Sequence, residues 1–240
     1  MPKYNFKGKT ERKIMALRWT DFKFERIHDY QQIAIRFKEN LGWLQMEVTI
    51  ADYYCGNKKF SYECMHINYA LPNLLEAFID IIPEYAACDK YFHYFRRRSR
   101  FDHDAESRGL VRWELAFSGW DRFEILVRNN FDADMEDDYD YETLHNQEAI
   151  NKVKGDVWLC VSVNASAWVK AVLFALDELY EAMPDNPKED LAYSKANFPQ
   201  QYYDKLKLWL ETPSDSYKRQ KLNPGKGFFE NTEGVVIEPE

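Results

Sequence analysis

The stretch WLQMEVTI, residues 43–50, alternates without a break: Leu44, Met46, Val48 and Ile50 fall on one side, Gln45, Glu47 and Thr49 on the other. A period of two is the pattern of a strand with one dry and one wet face. The segments around it constrain the fold further. QQIAIRF before it sets Ile33, Ile35 and Phe37 on one face, and FSYECMHI after it has the composition of a third strand. Only ENLG and CGNKK separate the three. A parallel crossover needs a dozen or more residues. Linkers this short permit only antiparallel neighbours, so the first half predicts a meander and excludes a doubly wound sheet.

The remaining segments alternate between the two periods. KIMALRWTDFKF, residues 13–24, is compatible with a further strand. In ALPNLLEAFIDIIP the residues Leu71, Leu74, Leu75, Phe78, Ile81 and Ile82 recur at helical spacing, with Pro72 expected in the first turn and Pro83 ending the helix. KYFHYFRRRSR fits either a strand or a helix, and FDHDAESRG reads as a polar loop. LVRWELAF and RFEILV alternate again around SGWD, a hairpin with Trp113, Leu115 and Phe117 together on its first strand and Phe123, Ile125 and Val127 on its second. LHNQEAINKV suggests a short helix and DVWLCVSV a last strand. NASAWVKAVLFALDELYEAM is the strongest helix, with Asn164 as its N-cap and Trp168, Val169, Val172, Leu173, Leu176, Leu179, Tyr180 and Met183 at helical spacing. PQQYYDKLKLWLE predicts a terminal helix. The fold class expected is α+β: a mostly antiparallel sheet, meander plus hairpin, with helices packed on one face. Residues 1–211 form one such domain, and residues 212–240, rich in Pro, Gly, Asn and Ser, are expected to be a C-terminal tail or wrapping arm.

Four cysteines, Cys55, Cys64, Cys88 and Cys160, show no C-x-x-C spacing and are expected to be reduced thiols. The N-terminus shows no apolar signal region, and the longest apolar stretch, around WVKAVLFAL, is too short to span a bilayer. These features predict a cytoplasmic location and no membrane partner. The net charge of −8 argues against nucleic acid, whose phosphates want a basic patch. The charge is polarised: residues 1–100 hold 17 Lys and Arg against 12 Asp and Glu, residues 101–240 hold 15 against 28.

The densest part of that acidity is FDADMEDDYDYE, residues 131–142, with seven carboxylates in twelve positions. A calcium loop of the EF-hand type needs Gly at its sixth position and Glu at its twelfth. Counting from Asp132 gives Asp137 and Thr143, and counting from Asp134 gives Tyr139 and His145, so neither register fits. Acid interleaved with tyrosine suits docking, since charge steers a basic partner and the rings supply contact area. The expected contacts are Asp134, Asp137, Asp138, Tyr139, Asp140 and Tyr141. The basic counterpart is FRRRSR, with Arg96, Arg97, Arg98 and Arg100, which is equally able to bind an external anion or to pair with the acidic run inside the molecule. A metal-dependent hydrolase or nuclease is the competing reading, with Asp102, His103 and Asp104 of FDHD as ligands, although their spacing matches no common ligand pattern. A third reading is a structural subunit whose tail wraps a neighbour. G-x-S-x-G, H-E-x-x-H and the P-loop are missing, and no cofactor is expected.

The succession LPNLLEAFIDII, DAESRGLVRWELAF and VWLCVSVNASAWVKAVLFALDELY, across roughly residues 40–183, resembles bacterial proteins of the polymorphic or contact-dependent toxin immunity type, with Glu106, Gly109 and Trp113 its more particular residues. The resemblance implies no catalytic residues. It implies a non-enzymatic protein-binding module, an immunity-like inhibitor docking a basic partner such as a toxin.

Overall fold

The structure, a computed structural model, describes residues 22–28, 32–64, 66–82, 85, 98–105, 109–118, 121–130, 154–185 and 193–212. Among them are eight strands and three α-helices: β1 (Glu25–Arg26), β2 (Gln32–Asn40), β3 (Trp43–Asp52), β4 (Gly56–Cys64), α1 (Ile67–Ile81), β5 (Arg98–Ala105), β6 (Gly109–Ser118), β7 (Arg122–Asn129), β8 (Asp156–Asn164), α2 (Ala165–Ala182) and α3 (Gln200–Glu211), with a 3₁₀ turn at Lys195–Asn197. The strands form two ladders. One is the antiparallel meander β2-β3-β4; the other is five-stranded, in the order β1-β8-β7-β6-β5. Every neighbour is antiparallel except β1, which runs parallel to β8. The chain is thus α+β, mostly antiparallel, with helices packed against sheet.

The meander follows its alternation. Ile35, Phe37, Leu44, Met46, Val48, Ile50, Phe60, Tyr62 and Cys64 are buried, and the intervening residues face outward. Asn40 pairs with Trp43, so the first turn is the two-residue Leu41-Gly42, with φ of 50° and 86°. Positive φ at both positions is the type I′ geometry whose twist suits a tight hairpin. Leu41 is an unusual occupant, since a side chain there strains the backbone.

Packing joins the two ladders into one core. The face of the five-stranded sheet that carries Val111, Trp113, Leu115, Phe123, Ile125, Val127, Leu159, Val161 and Val163 shares a cluster with the meander and with the apolar stripes of α1 and α2. Phe78 of α1 is the hinge of this cluster, its ring lying against those of Trp113, Phe123 and Trp168. A register irregularity between Val127 and Arg128 leaves Trp158 on β8 beside Phe60 and Tyr62 of β4, which links the two sheets. A bulge re-aims a side chain in this way because the extra residue interrupts the alternation. The opposite face of the five-stranded sheet has a second, smaller cluster, Ala116 and Leu126 under Phe22, Phe24 and Cys160.

Two local expectations need correction. FDHDAESRG is not a loop at its start: residues through Ala105 belong to β5, paired along its length with β6. Its alternation is present, with His103 and Ala105 inward and Arg100, Asp102 and Asp104 outward, but a histidine stands in an apolar position and conceals the period. Pro72 is not in the first turn of α1. The helix begins at Ile67 after His66 in a left-handed conformation, so Pro72 lies inside it and leaves the Asn68 carbonyl without its helical N–H partner. Of the segment compatible with a further strand, residues 13–24, only 22–24 are described, and they precede the two-residue β1; the rest lies outside the described residues. Asn164 caps α2 as expected, its Oδ1 accepting the Ala167 N–H at 2.8 Å. The helix considered at LHNQEAINKV and the tail beyond Thr212 lie outside the described residues.

Candidate functional site

Strand alternation decides what FDHD can do. On β5, His103 turns into the core, 3% exposed, while Asp102 and Asp104 face the other way. His103 Nε2 lies 3.0 Å from the Ala70 carbonyl on α1, and Nδ1 lies 2.7 Å from the Tyr62 hydroxyl. A carbonyl only accepts, so Nε2 carries the proton and Nδ1 accepts from Tyr62. The Tyr62 oxygen in turn accepts the Trp113 indole N–H at 2.9 Å. Both ring nitrogens are used, and burial pushes the imidazole down to about 4. This is a neutral histidine tying α1, β4, β5 and β6 together. Asp102 grips Arg112 in a two-pronged pair, Oδ1 to Nε at 2.7 Å and Oδ2 to Nη2 at 2.9 Å. The structure therefore separates the three FDHD ligand candidates onto opposite faces of one strand.

The outer face of the five-stranded sheet is a ladder of charges. Arg112 neighbours Arg128, which is fully buried and donates Nε and Nη2 to Glu114 Oε1 at 2.9 and 2.7 Å. Arg122 donates Nε to Ser162 Oγ at 3.0 Å and Nη2 to the carbonyls of Ile27, at 2.6 Å, and Ser162. It thereby fastens the N-terminal segment to β8. Phe22 lies over the Arg128 guanidinium. Charges removed from water persist when paired and hydrogen-bonded.

The register of this sheet also fixes the entry and exit of the two charged runs. Arg98 opens β5 opposite Ala116, whereas the acidic run begins just past Asn129, which pairs with Val111 and through it with His103. Asn130 Nδ2 donates to Asp156 Oδ2 at 2.7 Å, so the chain leaves β7 and re-enters β8 at one clamped point. That point and Arg98 lie at opposite ends of the strands, about 20 Å apart at ~3.3 Å per residue. Asp134, Asp137, Asp138, Tyr139, Asp140 and Tyr141 lie outside the described residues, as do Arg96 and Arg97; Arg100 is exposed on β5.

A third cluster sits where β3 turns into β4. Asp52 is buried and ends β3. Its Oδ2 accepts the His28 backbone N–H at 2.9 Å, and Oδ1 accepts the N–H groups of Tyr54 and Cys55 at 2.8 and 2.9 Å. The His28 N–H bond, followed by the other backbone donors, holds this carboxyl well below the usual range. His28 Nδ1 lies 3.1 Å from Oδ2. The Cys55 thiol is half-buried and directed at the Arg26 carbonyl, 3.6 Å away. Burial, then hydrogen bonding to Glu25, pushes it up to about 11. Ligand atoms of His28, Asp52 and Cys55 all lie within 4.8 Å of one another. At the outside of the turn Tyr53 and Tyr54 are 89% and 67% exposed, with Tyr54 4.8 Å from the His28 ring. Sequence reasoning passed over this cluster. The D-x-x-C spacing of Asp52 and Cys55 is a local signal for it, but His28 comes from 24 residues away and joins only in the fold.

The described cysteines are free thiols, Cys64 buried and pushed up to about 12, Cys160 half-buried and pushed up to about 11, both chiefly by burial. No helix among the described residues is long and apolar enough to cross a membrane. Comparisons with protein-family models, with curated proteins and with solved structures find no match to the chain.

Proposed function

We propose that this chain is a non-enzymatic protein-binding module, an immunity-like inhibitor that docks a basic partner such as a toxin through its acidic, tyrosine-bearing segment. What supports the reading is the strand register: the acidic segment leaves and rejoins the sheet at one clamped end, where Asn130 meets Asp156, while the arginine run enters at the other. The anchor points lie apart along the strands, so the acidic run and the arginine run do not leave the sheet side by side. The chemistry of FDHD supports the reading too, since His103 and Asp102 are engaged in structural bonds. A carboxylate-rich surface raises the encounter rate with a basic cleft by as much as 10–10³-fold at low salt, and tyrosines lengthen the lifetime of the complex.

The test is association with the basic proteins encoded beside this chain's gene, measured by stopped flow against ionic strength. The association rate should fall about tenfold or more from low to high salt, and Asp137→Asn/Asp138→Asn/Asp140→Asn should slow it at low salt. A rate indifferent to both changes refutes docking through this segment. The same triple variant separates internal pairing from docking: internal pairing predicts a lower melting temperature, docking an unchanged or higher one.

A further inference from the structure

We propose that the β3–β4 tip is a zinc site, with His28 Nδ1, an Asp52 carboxylate oxygen and the Cys55 sulfur as its ligands. Imidazole, carboxylate and thiolate together suit a borderline divalent cation, whereas calcium and magnesium take oxygen ligands. The three atoms already lie within 4.8 Å of one another. Tetrahedral zinc, with bonds of about 2.0–2.3 Å, sets its ligands about 3.3–3.6 Å apart. The His28–Asp52 edge, at 3.1 Å, is near that length. Closing the sulfur takes up to about 1 Å, within reach of a side-chain rotation at Cys55.

The surroundings support the ligands as an outer shell does. Three backbone N–H groups orient the Asp52 carboxylate before any metal arrives. The Tyr54 ring lies against His28 and limits its rotation. Beside the cluster, Glu25 pairs with Lys58 at 2.6 Å. Metal bound here fastens the segment before β2 to the β3–β4 turn and holds Tyr53 and Tyr54 at the tip. The proposal is independent of docking by residues 131–142.

The experiment uses the full untagged chain, stripped with a chelator and titrated with Co²⁺ as a spectroscopic stand-in for zinc. One equivalent should produce a thiolate-to-cobalt charge-transfer band that Zn²⁺ abolishes. Cys55→Ser and His28→Gln should weaken binding by more than about 100-fold, since even outer-shell changes cost 10–100-fold. Cys88→Ser and Cys160→Ser should leave the band intact. His28→Gln keeps the backbone bond to Asp52, and circular dichroism checks that each variant is folded. Absence of a saturable band, or a band that survives in Cys55→Ser, overturns the proposal.

Discussion

Lowering the pH should loosen this fold through His103. The imidazole is neutral and buried, with Tyr62 donating to Nδ1 and Nε2 donating to Ala70. Burial drives its pKa from 6.5 to about 4, partly opposed by the hydrogen bond to Ala70 and the charge of Asp102. In the unfolded chain the ring takes a proton below pH ~6.5; in the folded one it does so only near pH 4. Between those values the unfolded state holds the extra proton, so stability is full above the unfolded pKa and falls as the pH falls. At about 1.4 kcal/mol per pH unit the loss reaches about 3 kcal/mol by pH 4. Other carboxylates and histidines titrate in the same range, so the measurement is a difference. His103→Phe removes the titration and leaves the Tyr62 hydroxyl only the weak Met46 sulfur, 3.6 Å away, as acceptor, a cost of about 1–3 kcal/mol at pH 7. Urea unfolding of both proteins from pH 7 to pH 4 should show that deficit shrinking by about 3 kcal/mol, until the variant equals or exceeds the parent. A deficit that stays constant across the range refutes a neutral, buried His103.

Two further predictions follow from local geometry. Glu114→Ala strips the hydrogen-bonded carboxylate from fully buried Arg128 and should cost about 3 kcal/mol in urea unfolding, with Glu114→Gln recovering part of it. Leu41→Asn places a residue that tolerates positive φ in the type I′ turn, where Leu41 has φ 50° and is 74% exposed; it should raise stability by about 1 kcal/mol, measured by thermal unfolding.

Local periodicity carried much of the architecture. The meander was legible because its linkers are too short for a crossover and its apolar residues keep strict alternation over three segments. The hairpin of β6 and β7 and the cap of α2 were legible for similar reasons. Strand β5 was not, because His103 occupies an inward position and breaks the apolar signal; only its bonds to Tyr62 and Ala70, 41 and 33 residues away, make that position suitable for a histidine. The start of α1 was misjudged because Pro72 is best known from first turns, yet a helix accepts an internal proline when neighbouring packing offsets the missing bond. The His28–Asp52–Cys55 cluster was invisible as a motif because its members come from separate segments.

The sequence by itself determined fold class, strand faces and the poles of charge, since alternation, helical spacing and linker length act within a dozen residues. Tertiary structure decided which charged and polar groups are free to act. The pairing of Arg112 with Asp102 and of Arg128 with Glu114, the enclosure of His103, and the meeting of His28 with Asp52 all depend on strand register and on contacts distant in sequence. The physical reason is that burial sets the character of such a side chain: the low dielectric of the core makes an unpaired polar group costly, so its partner, wherever it comes from along the chain, fixes its protonation and its role.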